Sequence, residues 1–401
     1  MVARKLLAVL AFSAALIGCP SETGKTGNGG SGSGSGESSG EKPIKIALAG
    51  PITGSVAAMG NEMKQAAELW TRQIGEKGGI KGRRVELVVE DDKGNANEAT
   101  NVAKKIASDP DIVAVVGHFN SSCTKATRDT YNQAGILEFS PASTDITVCR
   151  GYDWTFRNLY HDGYQGMFIV RYVKEVLGHS KIAIAYENDD YGRGLRDAII
   201  KKAAEVQVEV VAEQTWVREQ TQDLKTVATA LQAQKPQTIV IAGLYNEAAL
   251  LAKSIRNDLG WKDVQLIGSD GVVNDDFIKI AGDAGEGTLL TTPYFFSAES
   301  SAEAKAFGEA FKAAYNVTPG TWAALTYDAL AMVGKGIEAV GADRKALRDW
   351  FAGCKDSKSG FVGVTGTTYF DEHGDCPSKP AAVIEVQNGA YVLAPKQLAA
   401  E

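Results

Sequence analysis

From Ile44 onward the chain alternates short β-branched runs with amphipathic stretches, and few architectures accept that pattern. Ile44-Lys45-Ile46-Ala47-Leu48 reads as a first strand. Met63, Ala66, Ala67, Trp70 and Ile74 then keep the i, i+3, i+4 spacing of a helix that stops at Gly78-Gly79. Val85 to Val89 reads as the next strand. Ala96, Ala99, Val102, Ala103 and Ile106 mark a second helix, with Asn95 as its cap. Ile112 to Val116 is apolar throughout, as a strand buried on both faces should be. A second series starts near Ile182, with strands at Ile182 to Tyr186, Thr238 to Ala242 and Val264 to Gly268. Strand and helix in alternation imply βαβ units and parallel, doubly wound sheets. With 401 residues the chain is too long for one core and suits two such lobes. Ligands of these sheets bind beyond the carboxyl ends of the strands. Function is therefore expected just after Ala49, Val116, Phe139, Tyr186, Gly243 and Gly268.

The first residues carry an address. Arg4 and Lys5 precede an apolar stretch from Leu6 to Ile17, shorter than the roughly 20 residues that span a bilayer. Its length is that of a signal-peptide core. Leu16-Ile17-Gly18-Cys19 resembles the lipobox of bacterial lipoproteins, so residues 1–18 are expected to be removed and Cys19 to carry lipid. Residues 19–42 are then a tether: fourteen of the twenty-two residues from Pro20 to Glu41 are Gly or Ser. Such a composition forms no packed core and reaches on the order of 25 Å as a flexible coil. With Cys19 assigned to lipid, Cys123, Cys149, Cys354 and Cys376 remain. An exported protein is expected to pair them as disulfides, in any of three connectivities. Cys123 with Cys149 and Cys354 with Cys376 would close the shortest loops. No Cys-x-x-Cys spacing points to zinc. A net charge of −7, without any Lys/Arg run, argues against a nucleic-acid partner.

Two strand ends in the first series carry the same chemistry. After Val116 comes Gly117-His118-Phe119-Asn120-Ser121-Ser122-Cys123-Thr124, opening a helix. A helix start offers free amides to an anion, and Ser121 or Ser122 would add a hydroxyl; equally, one Ser is only an N-cap. The next strand ends in Phe139-Ser140-Pro141-Ala142-Ser143-Thr144-Asp145, again small and hydroxyl-rich. In the second series Gly268-Ser269-Asp270-Gly271 places one carboxylate at a strand end, although Asp-Gly is also a common turn pair. Donors for a carboxylate and an anion for an ammonium are what an α-amino acid needs.

The set as a whole resembles a known family. Gly50-Pro51-Ile52-Thr53-Gly54, Lys77 to Gly82, Glu90-Asp91-Asp92 and Val116 to Ser121 carry the resemblance. So do Ser140 to Thr144, Phe156-Arg157, Asp162 with Gln165-Gly166, Asp190-Tyr191-Gly192, Gly268 to Gly271, Glu286-Gly287 and Thr326 to Leu330. In this order, from about Pro43 to the C-terminus, they are similar to the leucine/isoleucine/valine-binding family of periplasmic solute-binding proteins. The resemblance implies the type I periplasmic-binding fold, two doubly wound parallel-sheet lobes joined by a three-crossing hinge. One lobe would be 43–161 with 293–370, and the other 162–292 with 371–401. Carried over by position, Ser121, Ala142 and Thr144 would hold the ligand carboxylate and part of the ammonium. Asp270 stands where the family keeps an acidic ammonium partner, usually the longer Glu. Tyr191 and Trp322 match aromatic contacts, while Met59 and Leu244 stand where Tyr is frequent.

The resemblance implies a substrate-binding lipoprotein of an ABC importer, exported and lipid-anchored, for a branched-chain or other apolar amino acid. Its partners would be a permease and ATPase complex, and it would act as a monomer without cofactor or metal. An enzyme of similar architecture would need its own signature. The chain has no Gly-x-x-x-x-Gly-Lys-Ser/Thr, no dinucleotide fingerprint, no His-Glu-x-x-His and no Gly-x-Ser-x-Gly elbow between strand and helix. Two alternatives stay open at this level: a sensor subunit, or a binding protein for short amides, urea or aromatic acids.

Overall fold

The computed structural model describes residues 42–221, 223–297 and 300–399. The stretches expected to be signal peptide and tether, up to Glu41 and with Cys19 between them, lie outside the described residues. The first sheet is built from β1 (Ile44–Gly50), β2 (Val85–Asp91), β3 (Ile112–Val116), β4 (Leu137–Ser140) and β5 (Thr155–Arg157). These strands run parallel in the order β2-β1-β3-β4-β5. Helices α1 (Ala57–Glu76), α2 (Ala96–Ser108) and α3 (Ser121–Ala134) connect them. The Asn95 side chain caps α2 by accepting from Asn97 N and Glu98 N. β3 is buried along its whole length, which is why it reads as a continuous apolar run.

The chain then enters a second sheet through α4 (Asp162–Arg171), followed by β6 (Lys181–Glu187), α5 (Asp190–Glu205), β7 (Glu209–Trp216), α6 (Leu224–Ala233), β8 (Thr238–Ala242), α7 (Tyr245–Lys253), β9 (Gln265–Gly268), α8 (Asp275–Ala281) and β10 (Leu289–Thr292). It returns to the first lobe with α9 (Ala302–Tyr315), α10 (Thr321–Val340) and α11 (Arg344–Gly353), where α10 packs on α1 and α11 on β4. After a hairpin of β11 (Phe361–Gly363) and β12 (Gly366–Thr368), it crosses once more to β13 (Ala382–Gln387) and β14 (Ala390–Leu393). The second sheet has the order β14-β13-β10-β9-β8-β6-β7, parallel except that β13 runs antiparallel to both its neighbours, β10 and β14. The chain thus passes between the sheets three times. This is the α/β, two-lobed, three-crossing fold that the pattern and the resemblance imply.

The crossings are tied to one another. Arg157, at the end of β5, is fully buried and reaches Asp375 of the third crossing through Nε at 2.7 Å and Nη2 at 2.6 Å. Its Nη1 donates to the carbonyls of Ser143 and Asp145, both at 3.0 Å. Phe370 adds an aromatic contact with Phe156, Phe351 and Phe139.

The disulfide expectation is overturned, because Cys123, Cys149, Cys354 and Cys376 are all free and buried. Cys123 lies among Asp92, Arg218 and Asp189, whereas Cys149 lies beside Arg157 and Asp375. Cys354 Sγ faces the Trp350 carbonyl at 3.5 Å, and Cys376 Sγ the Ser378 hydroxyl at 3.2 Å. A short loop lowers the entropy cost of closure but does not aim two Cβ atoms at each other. Burial raises the thiols of Cys123, Cys149 and Cys354 above their usual range, Cys354 to about 11. They therefore sit in the structure as small inert hydrophobes.

Among the described residues no helix is long and apolar enough to cross a membrane, and no cluster of three or more His, Cys, Asp or Glu is placed to hold a metal.

Candidate functional site

The loop after β3 is anchored from within the first lobe. His118 Nδ1 lies 2.6 Å from Asp92 Oδ2, and Nε2 lies 3.1 Å from the Tyr131 hydroxyl. The His118 carbonyl accepts from the hydroxyls of Ser140 at 2.7 Å and Ser143 at 3.1 Å, which joins the ends of β3 and β4. In α3 the first amides in the helical ladder are those of Cys123 and Thr124, both donating to Asn120 O. The amides of Ser121 and Ser122 thus stand at the open end of the helix, where an anion is stabilised. Asn120 is the N-cap, so Ser121 is the first helical residue and not the cap. Ser121 Oγ accepts from Thr144 N at 3.3 Å and Asp145 N at 3.2 Å, leaving its own proton to donate elsewhere.

In the second lobe Asp270 follows β9 within a short 3-10 turn and is 1% exposed. Its Oδ1 accepts from the Tyr191 hydroxyl at 2.5 Å and from Gly271 N at 2.8 Å. Its Oδ2 is buried without a hydrogen-bond partner. Burial pushes the Asp270 carboxyl above its ordinary range, while the hydrogen bond from Tyr191, the nearby Gln165 side chain and the Gly271 amide pull it back. Burial also raises Tyr191, followed by the charge of Asp270, so the phenol stays a donor. The turn reading of Asp-Gly thus holds for the backbone, but the carboxylate is not spent on solvent. A buried carboxylate with one free oxygen needs a cation or a proton.

Phe119, Asn120, Ser121, Ala142, Thr144, Tyr191, Leu244, Asp270, Gly271 and Trp322 surround one cavity where the strand ends of the two sheets meet. The enclosed space is small, about 20 Å³, little more than one ordered water needs. Seven of the eight residues expected at a ligand site therefore share it: Ser121, Ala142, Thr144, Tyr191, Leu244, Asp270 and Trp322. Met59 is not among the residues around it. It is fully buried near the start of α1. The Trp322 ring is fixed by Nε1 donating to Val273 O at 3.1 Å and by an edge contact with Phe119 at 5.0 Å.

Sequence reading did not single out Phe119, Asn120 or Gly271 as part of the site. Asn120 hid behind its type, since Asn before a helix reads as a cap. Asp162 and Gln165 also went unassigned, although both lay in the motif set. Asp162 is fully buried behind the cavity, and neither carboxylate oxygen has a partner of good geometry. Burial, then the charge of Asp270, holds Asp162 well above the usual carboxylate range, against a lowering by the Thr144 hydroxyl. Wider clefts open elsewhere, one between Tyr152, Arg348 and His373 and another between Gln73, Phe307 and Val362. Neither draws on the strand ends of both sheets.

A donor-rich helix start facing a half-free buried carboxylate across two lobes is the arrangement of a solute-binding cleft. The family model described as periplasmic binding protein matches residues 43–390. The chain belongs to this periplasmic binding protein family. It is 32% identical over 345 residues to a leucine-, isoleucine-, valine-, threonine- and alanine-binding protein of Pseudomonas aeruginosa, covering 85% of this chain and 89% of that one. Among solved structures, the branched-chain amino acid transporter substrate-binding protein LivJ of Streptococcus pneumoniae, in complex with isoleucine, superposes with a TM-score of 0.81. The identity is 30%, over 87% of this chain and 98% of that one. A leucine-binding protein, LivK, of Thermotoga maritima gives 0.80 at 28% identity, over 87% and 97%.

Proposed function

We propose that this member of the periplasmic binding protein family is the substrate-binding component of an ABC importer, capturing an amino acid of the branched-chain class. The observation that carries the reading is the free, buried Oδ2 of Asp270 on the wall of a cavity whose opposite wall is the open end of α3. A free amino acid is a zwitterion, and neither of its charges enters a dry cleft unpaired. The Ser121 hydroxyl, the amides of Ser121 and Ser122, and Thr144 take the carboxylate. Asp270 and the Ala142 carbonyl answer the ammonium. Because Asp270 and Ser121 belong to different lobes, the ligand favours the closed arrangement by its own differential contacts. The relatives named for amino acids support the class of ligand.

The protein binds and releases its ligand without chemistry and hands it to a permease and ATPase complex, acting as a monomer. Its lobes are read as 43–161 with 293–370 and 162–292 with 371–401. It is exported and held at the membrane by lipid on Cys19, on the motif Leu16-Ile17-Gly18-Cys19. Calorimetric titration with candidate amino acids tests the ligand reading. Micromolar binding corresponds to about −8 kcal/mol. Removing one partner of a buried charge pair costs about 2–5 kcal/mol. Asp270→Ala and Asp270→Asn should therefore lose at least roughly 30-fold in affinity. Parental affinity in both would mean that no ammonium sits there.

A further inference from the structure

Asn120 forgoes a bond that its position invites. At an N-cap, an Asn oxygen ordinarily turns back onto an amide of the first helical turn. Asn120 is the N-cap of α3, yet its side chain makes no such bond. The residue is 5% exposed, and its Oδ1 is buried without a hydrogen-bond partner. That oxygen lies at a corner which Gly94 and Val56 of the first lobe share with Arg218 of the second. A Cβ placed on Gly94 would come 3.0 Å from Asn120 Oδ1, 3.1 Å from Arg218 Nη1 and 3.1 Å from a Val56 methyl. Having no side chain, Gly94 keeps open the space between a buried acceptor and a cationic donor of the opposite lobe. A buried acceptor left empty is costly unless a donor comes to it.

Arg218 is placed to be that donor. It stands on a compact turn after β7, closed by Thr221 N donating to Val217 O at 3.0 Å and pinned to α7 by Glu219 N donating to Glu247 Oε1 at 3.3 Å. Its Nε and Nη2 are held within its own lobe by Glu187 Oε1 at 2.6 Å and Asp189 Oδ2 at 3.2 Å. Asp189 also caps α5, the helix that carries Tyr191 against Asp270. The remaining arm, Nη1, crosses the boundary and donates to Gly94 O at 3.4 Å. It carries two protons, so a second acceptor can be served. The other charged link between the lobes, Lys125 with Asp190, has side chains 24% and 31% exposed, against 15% for Arg218 and 1% for Glu187. Solvent therefore weakens the Lys125 pair more. We propose that Arg218 is a positioning residue that latches the closed lobes, spanning from Glu187 and Asp189 to Gly94 O and Asn120 Oδ1, and so sets how long the ligand stays. This rests on the binding reading above. A bond made only between closed lobes stabilises the closed state and must break before the ligand leaves. It slows release and leaves encounter alone, because encounter takes place with the lobes apart.

The test is calorimetric titration and stopped-flow kinetics on the purified full-length protein, with leucine, isoleucine, valine, threonine and alanine as probes. The variants are Arg218→Lys, Asn120→Ala and the two combined. Lysine keeps a cation for Glu187 and Asp189 but lacks the planar fork that reaches three ways. For the probe that binds the parent tightest, Arg218→Lys should lose about 10-fold in affinity, through faster dissociation at an unaltered association rate. Asn120→Ala should also speed release, and the combined variant should be no worse than the weaker single one, since both remove the same contact. A residue that only braced α5 would show no such coupling to Asn120. Asn120→Ala removes an oxygen that the fold leaves without a partner, so it carries the test even where Arg218→Lys does not fold. Parental release in Asn120→Ala overturns the proposal, as do losses that multiply in the combined variant or that lie in association alone. These outcomes leave the amino-acid reading standing. If no α-amino acid binds the parent, that reading falls and takes the proposal with it.

Discussion

Arg157 shows how a single residue can hold the molecule in register. Its guanidinium is fully buried and divides its donors between Asp375 and two carbonyls of the loop after β4. That loop carries Ala142 and Thr144, so the ion pair links the hinge to the ligand wall. Removing one partner of a buried pair strands the other charge and costs about 3–5 kcal/mol. Arg157→Met should lower stability by that amount in urea unfolding, whereas the double substitution with Asp375→Leu should recover part of it. At this scale the sequence exposes the site unevenly. Residues with an expected chemical part, such as Ser121 and Asp270, are visible from their types and their places at strand ends. Phe119 and Asn120 are not, because an aromatic beside a strand reads as core and an Asn before a helix reads as a cap.

Elements are legible where both faces of a strand are covered. β1, β3 and β8 are almost wholly buried, and each appears as a β-branched run. β7 escapes notice because it is an edge strand with mixed exposure, its residues Glu209–Trp216 alternating irregularly. β13 and β14 escape because their partners come from distant parts of the chain: β13 pairs with β10 nearly a hundred residues earlier, and no local pattern announces that. Helix starts fare better, since caps are local chemistry. The Asn95 oxygen accepts from Asn97 N at 2.9 Å and Glu98 N at 3.3 Å, so Asn95→Ala should destabilise the protein by about 1 kcal/mol. Chemical unfolding should show this shift with the ligand affinity unaltered, because α2 contributes nothing to the cavity wall. Cysteine pairing was misjudged at the element scale too. Sequence separation ranks loops by entropy, but the elements carrying Cys123 and Cys149 place the thiols in different surroundings.

At the scale of the whole molecule, the lobes meet through bonds that ring the cavity. Asp190 N donates to Ser122 Oγ at 3.2 Å, Lys125 pairs with Asp190 at 2.9 Å, and Tyr245 donates to Ser55 O at 3.0 Å. On another side Asn274 Nδ2, from the second lobe, donates to Glu62 Oε1 of α1 at 2.8 Å. Glu62 is the contact through which pH should act. Burial first, then the charge of Asp275, pushes its carboxyl up to about 8, with Asp276 adding and the bonds from Ala323 N and Asn274 opposing. Away from these neighbours it would titrate near its ordinary 4.5. Between those values the native state holds a proton that the unfolded chain has lost. Stability must then fall as pH rises through that window. Glu138, raised to about 7 by its burial, adds to the slope in the same direction. Thermal unfolding followed from pH 4.5 to about 8 should show the parent losing stability across that window and levelling off above it. Glu62→Gln keeps an acceptor for Asn274 and removes the charge, so its loss should be smaller, with the remainder belonging to Glu138. Where the Glu62–Asn274 bond forms only as the lobes close, ligand affinity should weaken over the same window in the parent and less in Glu62→Gln. An equal pH slope in the two proteins would show that Glu62 stays ionised at the lobe boundary and that closure takes up no proton there.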